Sequence, residues 1–236
     1  MLEMYHAFAA AWGLLIGFDP VLLGIVGLSL EVTLSAVALA ALIGLPLGAI
    51  IAISRFPGRS ALVLLLNAAM GLPPVVVGLA VYLLLSHAGP LGWLGLLFTP
   101  RAMIVAQTIL VLPIIASLSR QAVEELWEEY SELLRSLGSS RWRAVPTLLF
   151  EGRHSLLTAG LAGFGRAIAE VCAILIVGGN IAGYTRTMTT AISLETSRGD
   201  LALALGLGII LLGLALAVNA AAFLIGSAGR KSATPG

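Results

Sequence analysis

The run 120-RQAVEELWEEYSELLRSLGSSRWRAVPTLLFEGRHS-155 is a charged stretch set between two apolar ones. Val123, Leu126, Trp127, Tyr130, Leu133, Leu134 and Leu137 recur in it at helical spacing. Glu124, Glu125, Glu128, Glu129, Glu132 and Arg135 take the opposite side, the pattern of an amphipathic helix. Gly138 offers a left-handed stop, and Ser139 or Ser140 a cap for a new helix. The spacing therefore predicts two short helices meeting at an angle. A simple linker needs only a few residues, and this one keeps an apolar face that something must cover. A helix-turn-helix offered to a partner's groove accounts for both facts; a solvated linker is the plainer alternative.

The composition on either side sets the context. Of 236 residues, 59% are hydrophobic and 11% charged. Soluble domains carry about a quarter charged residues, so this chain reads as a polytopic membrane protein. Crossing the hydrocarbon core takes roughly 20 apolar residues per helix. Five stretches qualify or nearly do: 29–54, 61–85, 102–118, 155–178 and 201–225. The third is short, but its helix can run on into the polar sequence. Pro73-Pro74 and Pro113 are expected to kink their spans and leave room for a cavity. Residues 1–18 are apolar but too short for a further span, and Asp19-Pro20 breaks the chain, which suggests an interfacial N-terminal helix. The organisation expected is an extracytoplasmic or interfacial segment 1–28, a transmembrane domain 29–226 with a cytoplasmic loop 119–154, and a cytoplasmic tail 227–236.

Charge gives the orientation. Arg55 and Arg59 lie in one linker, Arg120, Arg135, Arg141, Arg143 and Arg153 in the charged loop, and Arg230 and Lys231 in the tail. Arg101, Arg186 and Arg198 are what the other side has. The positive-inside rule puts the linker, the loop and the C-terminus in the cytoplasm, and the N-terminus outside.

Several chemistries are disfavoured. No G-x-x-x-x-G-K-[ST] occurs, and the one lysine is Lys231 in the tail, so no P-loop phosphate cradle can form. His6, His87 and His154 are scattered, and Cys172 stands alone in an apolar run. No catalytic set and no metal site is expected, and the chain is not expected to be an enzyme.

The order Glu132-Leu133-Leu134, three residues, Gly138, Ser139-Ser140-Arg141 resembles the EAA loop of ABC-importer permeases, with leucines in place of both alanines. Phe150-Glu151 stands where that pattern ends in a proline. The stretch 41-ALIGLPLGAIIAISRFPGRS-60 is similar to molybdate and tungstate permeases, and 67-NAAMGLPPVVVGLAVYLLLS-86, 95-GLLFTPRAMIVAQTILVLPI-114 and 163–200 resemble the tungstate-type branch. The threonine-rich continuation after Asn180 and the run Glu195 to Asp200 resemble the tungstate-type branch. The resemblance implies an all-α polytopic fold of the type I importer kind, with about five spans per chain and a homodimer in the inner membrane of a prokaryote. It implies two copies of a separate ATPase that binds ATP and Mg, an extracytoplasmic binding protein that delivers tungstate, and contact with lipid but not with nucleic acid. Glu132, Leu133, Leu134, Gly138, Ser139, Ser140 and Arg141 would be the ATPase-coupling residues. No cofactor is expected in this chain. Molybdate or sulfate permeases of the same class, an ion-coupled secondary carrier, and a structural or assembly membrane protein are the alternatives.

For an oxyanion, the polar minority in and between the spans is informative. Arg166 and Glu170 are spaced i, i+4 in the fourth span, as a structural ion pair or as part of a gate. In 178-GGNIAGYTRTMTTAISLETSRGD-200, glycines supply turns and hydroxyls supply donors suited to weak anion sites. The candidate path or gate residues are Arg166, Glu170, Asn180, Thr185, Thr187, Thr189 and Thr190. The alternative for the hydroxyls is helix capping or contact with the binding protein.

Overall fold

The computed structural model describes Gly13, Gly17 and residues 19–232, with side chains described except at 135 and 225–232. Apart from Gly13 and Gly17, the interfacial helix expected over 1–18 lies outside the described residues, as do 233–236 of the expected tail. Nine α-helices and one 3₁₀ turn make up the described residues: α1 Pro20–Ile53, α2 Arg59–Met70, α3 Pro74–Leu85, the turn Gly92–Leu94, α4 Pro100–Ser136, α5 Arg141–Glu151, α6 Arg153–Ile168, α7 Cys172–Gly178, α8 Met188–Arg198 and α9 Leu201–Ser232.

Three stretches are long and apolar enough to cross a membrane: Pro20–Ile53, Pro100–Leu134 and Leu201–Leu224. Two bent pairs bring the number to five if each is one span. The helix that carries the first of these stretches begins at Pro20, ahead of Ser29. Asp19 Oδ1 accepts the Val21 and Leu22 N–H groups at 2.9 and 3.0 Å, and Pro20 presets the first helical φ, so Asp19-Pro20 begins the helix.

The stretches 61–85 and 155–178 are each broken. α2 and α3 meet at 100° at Pro73, and α6 and α7 at 62°. The proline pair explains the first break. The second has no proline. Glu170 Oε1 accepts the Ala173 N–H at 3.1 Å and so caps α7, while Thr189 Oγ1 donates to the Glu170 carbonyl at 2.8 Å. Pro113, by contrast, lies inside the continuous helix α4.

The chain divides into two compact units. The first holds the described residues up to Ser35, Pro73–Gln107 and Ile168–Ala217. In it α3 packs on α7 through Gly78, where a Cβ would stand 2.8 Å from Ala173 Cα. The Phe98 N–H donates to the Val177 carbonyl at 2.9 Å, and the Phe98 ring meets Tyr82 edge-on at 6.2 Å.

The second unit holds Ala36–Leu72, Thr108–Ala167 and the described residues from Val218. Here α1 lies close on α4: a Cβ on Gly48 would sit 2.3 Å from the Ala116 carbonyl oxygen. Close approach lets hydroxyls bond across helices, as small residues at membrane-helix interfaces do. Ser119 Oγ donates to the Leu45 carbonyl at 2.8 Å and Ser117 Oγ to Asn67 Oδ1 at 3.2 Å. Ala40, Val111, Ile115 and Ala167 form the apolar core beside them.

Candidate functional site

Two places gather the candidate residues, one in each unit. In the second unit, α4 runs past its apolar part to Ser136 and the chain reverses at Gly138, whose φ is +74°. The Ser139 N–H returns to the Leu134 carbonyl at 2.9 Å, the six-to-one bond of a Schellman stop. α5 starts at Arg141, with Ser140 in the cap position but without a side-chain cap bond. Ala144 and Leu148 of α5 are buried against Val123 and Trp127 of α4 and Ala49, Ala52 and Ile53 of α1, with Leu126 and Leu134 partly covered beside them. The remaining large apolar side chains are bare: Leu133 is 56%, Leu137 74% and Trp142 64% exposed. Glu132, Gly138 and Ser140 are exposed, and Ser139 and Arg141 half-buried. The apolar stripe expected along α4 thus splits into a part that packs at home and a part left for something else.

In the first unit, the residues 178–200 form a tight turn followed by α8, whose start is capped by hydroxyls, the alternative weighed for them above. Thr185 Oγ1 donates to the Gly178 carbonyl at 2.6 Å and accepts the Ile181 N–H at 2.9 Å. Gly179, Asn180 and Gly183 take positive φ in that turn, where glycine and asparagine are tolerated. Asn180 Oδ1 is buried and meets no donor among the described residues. Thr187 is the N-cap of α8 in a capping box with Thr190, whose Oγ1 accepts the Thr187 N–H at 3.0 Å. The Met188 N–H goes to Ser29 Oγ of α1 at 2.7 Å.

Thr187 and Thr189 line a small pocket with Ser29, Val32, Thr33, Gln107, Ile168 and Ile174, holding about 10 Å³ for the centre of a water molecule. That is space for one water at most, walled by hydroxyls, one amide and the aliphatic side chains of Val32, Ile168 and Ile174. Arg186 does not point free charge at it: Nη1 lies 3.4 Å from the buried Glu195 carboxylate, which Arg198 also approaches at 3.4 Å.

The structure therefore brings Thr187, Thr189 and Glu170 together and gives Thr185 and Thr190 backbone-holding bonds. Arg166 stands in the last turn of α6, which ends at Ile168, and the Glu170 carboxylate accepts the Ala173 N–H of α7. Ser29 and Thr33 were not singled out from sequence. Their i, i+4 spacing within a largely apolar helix places two hydroxyls on one face, and that signal was there to be read.

Residues 44–228 match the family described as binding-protein-dependent transport system inner membrane component. A probable anion ABC transporter permease protein of Haloferax volcanii is 44% identical over 204 residues, 84% of this chain and 88% of that protein. A tungstate uptake system permease protein of Peptoclostridium acidaminophilum is 39% identical over 215 residues, 91% of this chain and 94% of its own length. A molybdenum transport system permease protein of Escherichia coli is 31% identical over 179 residues, 70% of this chain and 75% of that protein.

Proposed function

The chain belongs to the family of binding-protein-dependent transport system inner membrane components, and from that membership we propose that it is the permease of an ATP-driven importer that carries tungstate. The observation that carries the substrate is identity: tungstate uptake permeases match at 39% and 41%, the molybdenum permease at 31%. Membership makes this a multi-pass inner-membrane protein that works with an ATPase and a binding protein. The finer assignments are ours. The permease acts as a homodimer, since one chain of three to five spans is small for a gated path. Two ATPase subunits, which hold ATP and Mg, grip the α4–α5 corner, and an extracytoplasmic protein delivers the anion. The N-terminus and the 178–200 segment face outward, and the linker 54–58, the α4–α5 corner and the tail face the cytoplasm. The charge bias supports that orientation.

Glu132, Leu133, Leu134, Gly138, Ser139, Ser140 and Arg141 serve as the coupling corner. The bare leucines and Trp142 supply apolar surface for a groove, and the Gly138 reversal sets the angle between the two helices. Thr187 and Thr189, with Ser29 and Thr33, line the path in a closed state. A one-water pocket is too small for a tetrahedral oxyanion, so passage requires α8 and α1 to part. Hydroxyl donors without an unpaired arginine bind a dianion weakly, and weak binding permits release. Thr185, Thr190 and Asn180 hold the turn and the cap, and Arg166 and Glu170 belong to the region of the α6–α7 break.

The test is uptake of tungstate in competition with molybdate and sulfate. Selective inhibition by tungstate itself is the expected result. Equal transport of sulfate would replace tungstate with the wider oxyanion class, and uptake that persists without the ATPase would point to an ion-coupled carrier.

A further inference from the structure

Glu124 stands between two guanidinium groups. Its Oε1 accepts from Arg59 Nη2 at 2.5 Å and its Oε2 from Arg120 Nη1, one helical turn earlier on α4. Arg59 does more than pair with it. Its Nε donates to the Ile51 carbonyl at 2.9 Å and its Nη2 to the Ala52 carbonyl at 3.3 Å. Those oxygens belong to the last turn of α1, which leaves its final carbonyls without helical partners and has no basic residue of its own. The first residue of α2 thus supplies the cation that the end of α1 lacks. Gly58, with φ at +91°, turns the chain back so that Arg59 can reach.

That same turn of α1 is also the floor on which α5 sits. Ala49, Ala52 and Ile53 pack against Ala144 and Leu148 of α5 and against Val123 and Trp127 of α4. Four elements meet there: the end of α1, the start of α2, the polar part of α4, and the helix placed against the ATPase. Apolar contacts of this kind hold surfaces together but are non-directional and permit sliding. The charge-assisted bonds to Glu124 have fixed geometry, and they set the register of α4 against α1 and α2. Their value lies in position rather than in stability. The side chains of Arg59 and Glu124 keep 28% and 31% of their exposure, and pairs so open to solvent contribute little to folding. Arg120 holds the carboxylate in the orientation that faces one oxygen to Arg59.

We propose that Glu124 is a positioning residue that locks α4 to the α1–α2 corner, so that movement of α5 reaches the spans instead of being lost as slip. The proposal rests on the import function argued above. It is tested in proteoliposomes holding the permease, its ATPase and the binding protein, with ATP hydrolysed per tungstate imported as the readout. Glu124→Gln, Arg59→Gln and the double variant are compared with the wild type. Each single variant is expected to raise the ATP cost per tungstate about three- to tenfold. The ATPase should still co-purify with each. The double variant should go no further than either single one, because both remove the same link. A wild-type ratio in both single variants overturns the proposal. Loss of ATPase co-purification overturns it too, since the cluster would then be a docking or folding element. Absence of ATP-dependent uptake by the wild type would instead refute the import function beneath it.

Discussion

Ser29 of α1 accepts the Met188 N–H of α8 at 2.7 Å, across 159 residues of sequence, and donates its own O–H to the Ile25 carbonyl. One hydroxyl therefore satisfies the first free amide of a buried helix start and forms part of the wall of the polar pocket. Position and chemistry coincide at this residue, and it is where the proposed path is most exposed to test.

Replacing Ser29 by alanine strands the buried Met188 amide, which costs about 1–3 kcal/mol. Thermal unfolding of the detergent-solubilised protein should shift down accordingly. Tungstate uptake should fall while the ATPase stays bound. Unchanged uptake at the shifted stability would separate the bond from the path.

Thr187→Val and Thr189→Val should alter uptake with the ATPase still bound, because both hydroxyls line the pocket; each should also lower the unfolding midpoint, since Thr187 caps α8 and Thr189 donates to the Glu170 carbonyl. Thr185→Val should act differently. It leaves the Gly178 carbonyl and the Ile181 amide unpaired, and destabilises by about 1–3 kcal/mol. Parallel uptake and unfolding measurements on the three variants distinguish path from scaffold.

Gly138→Val forces a β-branched residue into a positive φ of 74°, at a cost of about 1–2 kcal/mol. The corner between α4 and α5 should open or fray, and co-purification of the ATPase should drop while membrane insertion persists. Gly138→Asn, which tolerates that backbone, should retain much of the binding.

Gly48→Ala should be the most damaging of the helical glycine substitutions in α1. The added methyl meets the Ala116 carbonyl and the Arg120 amide, neither of which can turn aside, so overpacking costs about 1–3 kcal/mol or more. Gly24→Ala and Gly27→Ala enter open space and should leave the unfolding midpoint nearly unchanged.

What was legible before the fold was known followed from local pattern. The heptad-like apolar stripe from Val123 onward, the stop at Gly138 and the cap position at Ser140 are all local, and each is where the sequence put it. The break between α2 and α3 was announced by Pro73-Pro74. The break before α7 was not, because what stabilises it is a bond from Thr189, nineteen residues away, and the carboxylate of Glu170 folding back onto Ala173. Periodicity cannot register either. α8 was hidden for a similar reason. Its threonines and serines favour turns when read singly, and the helix depends on the Thr187–Thr190 capping box and on Ser29 from a distant element. The candidate path residues of the 178–200 stretch were Asn180 and four threonines, with nothing local to tell the threonines apart. Folding puts Thr185 and Thr190 wholly in the backbone's service, while Thr187 and Thr189 line the pocket and also hold backbone, as the N-cap of α8 and as donor to the Glu170 carbonyl.

The central claim is ATP-driven import of tungstate, and it is met most directly by one reconstitution. The permease, its ATPase and the binding protein are placed in proteoliposomes, and tungstate accumulation is followed with and without ATP. Accumulation that requires ATP and is barely displaced by excess sulfate is the predicted result. Accumulation that proceeds without ATP, or that sulfate suppresses as well as tungstate does, would contradict it.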